Sequence, residues 1–283
     1  ARPPGGDARR PPAGRGPDEG DGVMERRTIE TRKGIQSTVL EAGEGTPLVY
    51  FHGAGGLLPK ESLLESLAQR YHVYAPVWPG YGEEPTEDLI EDMLDFTLHG
   101  WDVVEALGLE RPHLAGHSMG GMIAAEMAAI NPRGLDKLVL IAAAGLWLDE
   151  YPIPDIFATT PFDLPGLLFS DPAKGEGILT GGVDFSNRDA LRDFMVGNAR
   201  RLGTAGKILF PIPNRRLSKR LYRMTAPTLV VWGREDHLIP PVYADRWQAL
   251  IPHAEKVLIE DAGHMVPYEQ PEAVERALVS FLG

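Results

Sequence analysis

From about Met24 onward, apolar and polar positions alternate between two textures. Short runs rich in β-branched and other apolar residues predict strands at 26–31, 35–41, Leu48–His52, Tyr71–Ala75, His113–Gly116, Leu138–Ala142, Thr228–Trp232 and Lys256–Glu260. Longer stretches between them carry helical patterning, at 60–70, 86–107, 119–130, 241–251 and 271–282. The run Gly121–Ile130 is dense in Ala and Met and stops at Asn131-Pro132, which cannot continue a helix. Strands alternating with helices predict an α/β protein, with a mostly parallel central β-sheet and helices on both of its faces.

The alternation breaks between Gly145 and Arg223. Pro and Gly crowd the first half of that stretch, and two amphipathic pieces follow at 187–202 and 214–223. Nothing in it reads as a core strand. The pattern predicts a helical cap, 145–223, inserted into a core made of 24–144 and 224–283. Its charges are segregated: 149–184 carry seven acidic side chains and one Lys, whereas 185–223 carry ten basic and two acidic ones. Two readings stay open. Arg188, Arg192, Arg200, Arg201, Arg215 and Arg216 could attract an anionic substrate, or they could be solvated and partly paired surface charge. The aromatic residues Trp147, Phe157, Phe162, Phe169 and Phe185 suit an apolar cover, and Trp147 and Phe162 are expected to touch substrate.

Composition narrows the functional classes. The 283 residues hold 28 Lys+Arg against 40 Asp+Glu, a formal net charge of −12 that argues against a nucleic-acid partner. No apolar run is long enough for a membrane span. With 0 Cys, disulfide scaffolds, thiolate metal sites and a Cys nucleophile are excluded. The histidines lack metal-ligand spacing and no dinucleotide fingerprint is present, so neither metal nor cofactor is expected. Residues 1–22 contain no apolar side chain larger than Ala, and 1–23 is expected to be a disordered leader rather than a signal peptide. A cytoplasmic location is the default expectation.

The strongest chemical signal is Gly116-His117-Ser118-Met119-Gly120-Gly121, entered by a strand and left by a helix. A G-x-S-x-G sequence in that setting puts Ser118 on a sharp, strained turn; residues two before and two after must be small. The turn projects the hydroxyl from the sheet edge and aims the Met119 N–H toward it from a helix N-terminus, where negative charge is favoured. A Ser nucleophile needs a His base oriented by a carboxylate. Of the eight histidines, His264 sits in a loop directly after the last strand, while alternation turns His117 away from the site and makes it a structural residue. Asp236 follows the strand that ends at Gly233, with Glu235 and Asp261 as alternatives. The order Ser118…Asp236…His264 is that of one serine-hydrolase scaffold among several.

Over 24–283 the sequence resembles the α/β-hydrolase superfamily. The resemblance rests on His52-Gly53-Ala54-Gly55-Gly56 after a strand, Trp78-Pro79-Gly80-Tyr81-Gly82, the elbow at Ser118, and the Asp236 and His264 loops. It implies the α/β-hydrolase fold, and an oxyanion hole formed by the backbone N–H groups of Ala54 and Met119. Gly53 and Gly55 would then lie close to the substrate, because backbone must approach the reacting oxygen. The implied activity is that of a carboxylesterase-like serine hydrolase, independent of cofactors, that cleaves a small-molecule carboxylic ester through an acyl-enzyme. Carbon–carbon bond hydrolases of ring-fission products, lactonases and non-catalytic ligand-binding proteins share the fold. The carbon–carbon hydrolases often carry Asn before the Ser and Trp after the His, where this chain has His117 and Met265.

Overall fold

Apolar runs only a few residues long, buried on both sides, make the central strands of the sheet, and more polar, exposed runs make its edges. In the computed structural model, which describes residues 24–58, 60–82, 88, 90–160, 163–210 and 216–283, these are β1 (Glu25–Glu30), β2 (Gln36–Ala42), β3 (Thr46–Phe51), β4 (Tyr71–Pro76), β5 (His113–His117), β6 (Leu138–Ile141), β7 (Thr228–Gly233) and β8 (Glu255–Ile259). They form one sheet in the order β1-β2-β4-β3-β5-β6-β7-β8. β2 runs antiparallel to both neighbours, and every other pairing is parallel.

Period-two alternation divides the strand side chains between two cores. Val49, Phe51, Leu140, Val230 and Trp232 face α2 (Met93–Ala106), α3 (Met119–Ile130) and α7 (Val242–Leu250). Leu48, Tyr50, Val139, Ile141 and Val231 face α1 (Ser62–Leu67) and α9 (Pro271–Leu282). Helices therefore cover both faces, as an α/β sheet requires. The amphipathic helix α9 buries Val274, Leu278 and Leu282 along one stripe.

The segment between β6 and β7 holds α4 (Leu164–Leu168), α5 (Pro172–Thr180), the 22-residue α6 (Arg188–Leu209) and two 3₁₀ turns at Leu217–Lys219 and Leu221–Arg223. It shares the core below it through Ala205, Ile208, Leu217 and Leu221. Its return to the sheet is pinned by Arg220, whose guanidinium engages the buried Glu126 carboxylate, and by Arg223 Nε donating to Ala129 O at 2.6 Å. The short α8 (Val266–Glu269) precedes α9.

Several expected boundaries shift. The helix expected over 86–107 runs Met93–Ala106 because Asp92 caps it, accepting from Leu94 N and Asp95 N. The piece at 187–202 extends to Leu209, and the 60–70 helix spans only Ser62–Leu67. The expected leader, Phe162 and Arg215 lie outside the described residues. No helix of the described residues is long and apolar enough to cross a membrane.

Candidate active site

Strand β5 runs straight into Ser118, whose backbone takes φ 53° and ψ −115° before α3 begins. A non-glycine residue at positive φ carries strain, held here by neighbours on both sides. Ser118 N donates to Ile141 O at 2.9 Å, and Ser118 O accepts from Ala144 N at 3.0 Å. The flanking glycines are required sterically. A Cβ on Gly116 would lie 2.4 Å from Gly120 O, and one on Gly120 would lie 2.1 Å from Phe51 O. The N-terminus of α3 thus rests against the loop that follows β3. Gly120→Ala is expected to destabilise the protein by about 1–3 kcal/mol through this backbone overlap, measured as a lower urea midpoint.

The side chains beyond β5, β7 and β8 converge at the C-terminal edge of the sheet, where ligand sites of parallel sheets form. His264 Nε2 lies 2.8 Å from Ser118 Oγ, and His264 Nδ1 lies 2.9 Å from Asp236 Oδ2. Asp236 Oδ1 accepts from Leu238 N at 3.0 Å and Ile239 N at 2.8 Å, which fixes the carboxylate. Because an ionised carboxylate only accepts, the imidazole proton sits on Nδ1 and Nε2 is left to face the hydroxyl. Asp236 and His264 are both buried. The alternatives do other work. Glu235 Oε2 accepts from Ala262 N at 3.0 Å and holds the His264 loop, while Asp261 is exposed and its carbonyl accepts from Ser170 Oγ.

His117 corrects the expectation that it turns away from the site. It is buried against the His264 loop, its Nε2–H donating to His264 O at 2.8 Å, with the two rings 5.2 Å apart. Burial, with His264 next to it, lowers its pKa to about 3, so it stays neutral. His52 is a second neutral histidine, its pKa lowered to about 4 by burial. Its Nδ1–H donates to Gly53 O at 2.8 Å and its Nε2 accepts from Trp78 N at 3.1 Å. The ring thereby ties the loop carrying Gly53, Ala54 and Gly55 to the Trp78-Pro79-Gly80-Tyr81 turn. Beside that loop, Glu61 Oε1 accepts from Leu58 N at 2.6 Å and from the Tyr268 hydroxyl at 3.0 Å. Burial pushes the Glu61 carboxyl up to about 7.

A cavity of about 1150 Å³ opens over Ser118 and His264. Gly53, Ala54 and Gly55 line it, as do Phe157 and Phe185. Trp147 does not. Its indole N–H donates to Asp149 Oδ1 at 2.9 Å in an exposed pair, so the expected substrate contact fails. Phe169 is buried against Gly175 rather than facing the cavity. Tyr81 of the Trp78–Gly82 motif also lines the cavity, as do Met122 and Tyr268, which sequence reading missed, and, on α6, the missed Phe194 and Asn198 and the cap arginine Arg201. The last three share one helix face at spacings of four and three, a periodicity visible in the sequence. Among the described residues no cluster of His, Cys, Asp or Glu is placed to hold a metal ion.

The sheet order, the strained serine turn and the Ser–His–Asp alignment define a class, and the sequence agrees. Residues 48–277 match the alpha/beta hydrolase family, and the chain belongs to that family. It is 31% identical, over 84% of its length, to the dihydrolipoyllysine-residue acetyltransferase component of an acetoin cleaving system of Pseudomonas putida, and spans 64% of that protein. It is 27% identical to Lipase 1 of Psychrobacter immobilis, covering 86% of this chain and 79% of that one. It is 28% identical to a 2-hydroxy-6-oxononadienedioate/2-hydroxy-6-oxononatrienedioate hydrolase of Cupriavidus pinatubonensis, covering 94% of this chain and 93% of that one.

Proposed function

We propose that this alpha/beta hydrolase cleaves carboxylic esters through an acyl-enzyme, using only its own residues. The observation that carries the reading is the continuous alignment Ser118 Oγ–His264 Nε2 at 2.8 Å and His264 Nδ1–Asp236 Oδ2 at 2.9 Å, at the floor of a large cavity. His264 Nε2 takes the Ser118 proton as Oγ attacks the carbonyl carbon. Asp236 holds the tautomer and stabilises the imidazolium that forms. The N–H groups of Ala54 and Met119 receive the oxyanion, the second aided by the N-terminus of α3. The intermediate collapses, the alcohol leaves with the proton from His264, and water repeats the sequence on the acyl-enzyme.

In the same reading, residues 145–223 are a cap over the core, and Phe157, Phe185 and Phe194 wall the acyl pocket. Specificity is then decided in the cap rather than at the serine. The similarity to the 2-hydroxy-6-oxononadienedioate hydrolase favours a second reading, cleavage of a C–C bond by the same residues. His117 and Met265, at positions where such enzymes often carry Asn and Trp, place it second.

A fluorophosphonate probe with peptide mapping tests the first reading. Ser118 should be the labelled residue, and short-chain p-nitrophenyl esters should be turned over. An unlabelled Ser118 in folded protein, together with no ester turnover, removes the ester-hydrolase reading.

A further inference from the structure

Two arginines line the otherwise largely apolar cavity, the exposed Arg26 and Arg201. Arg201 lies on α6 on the face shared with Phe194 and Asn198, and lines the cavity with them. Its stem reaches across to the loop after β3, since a Cβ built on Gly56 would lie 3.3 Å from Arg201 Cδ and 3.3 Å from Tyr81 Cδ1. The side chain therefore stands where the cap segment meets the loop carrying Ala54.

What sets Arg201 apart is partial burial at the cavity wall without a counter-charge. Arg192 pairs with Asp189 at 3.0 Å and Asp193 at 2.9 Å, and Arg220 engages Glu126. Arg200 Nη1 donates to Gly82 O at 2.9 Å, and Arg188 and Arg216 are exposed. Among the described residues no carboxylate pairs with Arg201, and its Nε is buried without an acceptor. The acidic residues at the cavity wall, Asp163 and Glu176, are exposed and form no ion pair with it. Burial disfavours its charge and pulls its pKa down. A guanidinium nevertheless keeps its charge in proteins. A half-buried cation whose Nε lacks an acceptor, standing at a cavity wall, is a binding element for an anion.

The geometry points to Arg201 as the subsite for a carboxylate carried by the substrate, so that the esters taken by this site are monoanionic; this rests on the ester-hydrolase reading above. A single planar guanidinium matches one carboxylate in charge and shape. A phosphate dianion would call for a second cation, and Arg26, the other arginine of the described lining, is exposed on β1 rather than buried.

The test compares mono-p-nitrophenyl glutarate with its neutral carbamoyl analogue of equal length. The ratio of kcat/KM for the charged over the neutral ester should fall about tenfold or more in Arg201→Gln, and Arg201→Lys should restore part of it. In Arg192→Gln, which alters a surface pair, the ratio should stay at the wild-type value. A second arm avoids turnover: glutarate monomethyl ester is titrated calorimetrically into Ser118→Ala and into Ser118→Ala/Arg201→Gln, and inorganic phosphate is run alongside. Tighter binding of the carboxylate that depends on Arg201 supports the subsite. It does so even if neither nitrophenyl ester is hydrolysed, an outcome that would sink the ester-hydrolase reading instead. An unchanged ratio, equal losses on both esters, or phosphate binding tighter than the carboxylate each overturn the proposal.

Discussion

Ser118→Ala is expected to lower kcat by about 10⁴- to 10⁶-fold, with the remaining rate coming from the oxyanion donors and substrate binding alone. Asp236→Asn should cost somewhat less, about 10³- to 10⁴-fold, and for a reason that the hydrogen bonds spell out. Leu238 N and Ile239 N both donate to Asp236 Oδ1. An asparagine would keep its carbonyl oxygen there and present its NH₂ to His264 Nδ1. Nδ1 would then have to accept, which moves the imidazole proton to Nε2, where it can no longer take the proton of Ser118. The base would stay in place in the wrong tautomer. Glu235→Gln is the control on the neighbouring residue. Its amide oxygen can still accept from Ala262 N, so most activity should remain. Steady-state kinetics on one p-nitrophenyl ester decides the matter, with thermal melts to show that each variant folds. If Glu235→Gln proves as damaging as Asp236→Asn, Asp236 is not the residue that orients His264.

The fold was legible where one local signal dominates. Helix α3 occupies Met119–Ile130, its expected span, because an Ala- and Met-rich run cannot be anything but buried helix and Asn131-Pro132 ends it. The parallel strands were legible as short apolar runs buried on both faces. The 145–223 segment was less so, because proline carries two meanings. Pro165 and Pro172 read as breaks in the chain, yet each stands in the first turn of a helix, where the missing N–H has no partner to lose. Gly203 and Gly206 interrupt the pattern of α6, but Thr204, Ala205 and Ile208 are buried and carry the helix to Leu209. At the site, Ser118, Asp236 and His264 could be picked out because each follows a strand end. His117 could not, since strand alternation does not reveal which loop folds back onto a side chain. Trp147 was misplaced for a similar reason: a local bond to Asp149, two residues away, holds it outside the cavity.

The pair Glu61 and Tyr268, 207 residues apart, was out of reach of any local pattern. It leads to a stability effect with a definite sign. Burial lifts the Glu61 carboxyl from 4.5 to about 7, against the pull of the Leu58 N–H and Tyr268 O–H donors; Glu65 adds to the rise. Between those values the folded protein holds a proton that the unfolded chain has released, so the contribution of this group to stability falls as pH rises. The full loss is about 3 kcal/mol above pH 7, most of it falling between pH 5 and pH 8. Glu61→Gln keeps an oxygen acceptor for both donors and removes the titration. Its stability relative to wild type should therefore improve by about 2–3 kcal/mol from pH 5 to pH 8, measured by urea unfolding. His52, His99 and His117, with pKa values lowered to about 4, 4 and 3, act in the opposite direction, losing stability as pH falls below 6.5. They are present in both proteins and cancel in the difference. A difference that stays constant from pH 5 to pH 8 would show that Glu61 titrates normally. The carboxylate that weakens the fold at neutral pH is also the one that links the loop carrying Ala54 to the helix following His264.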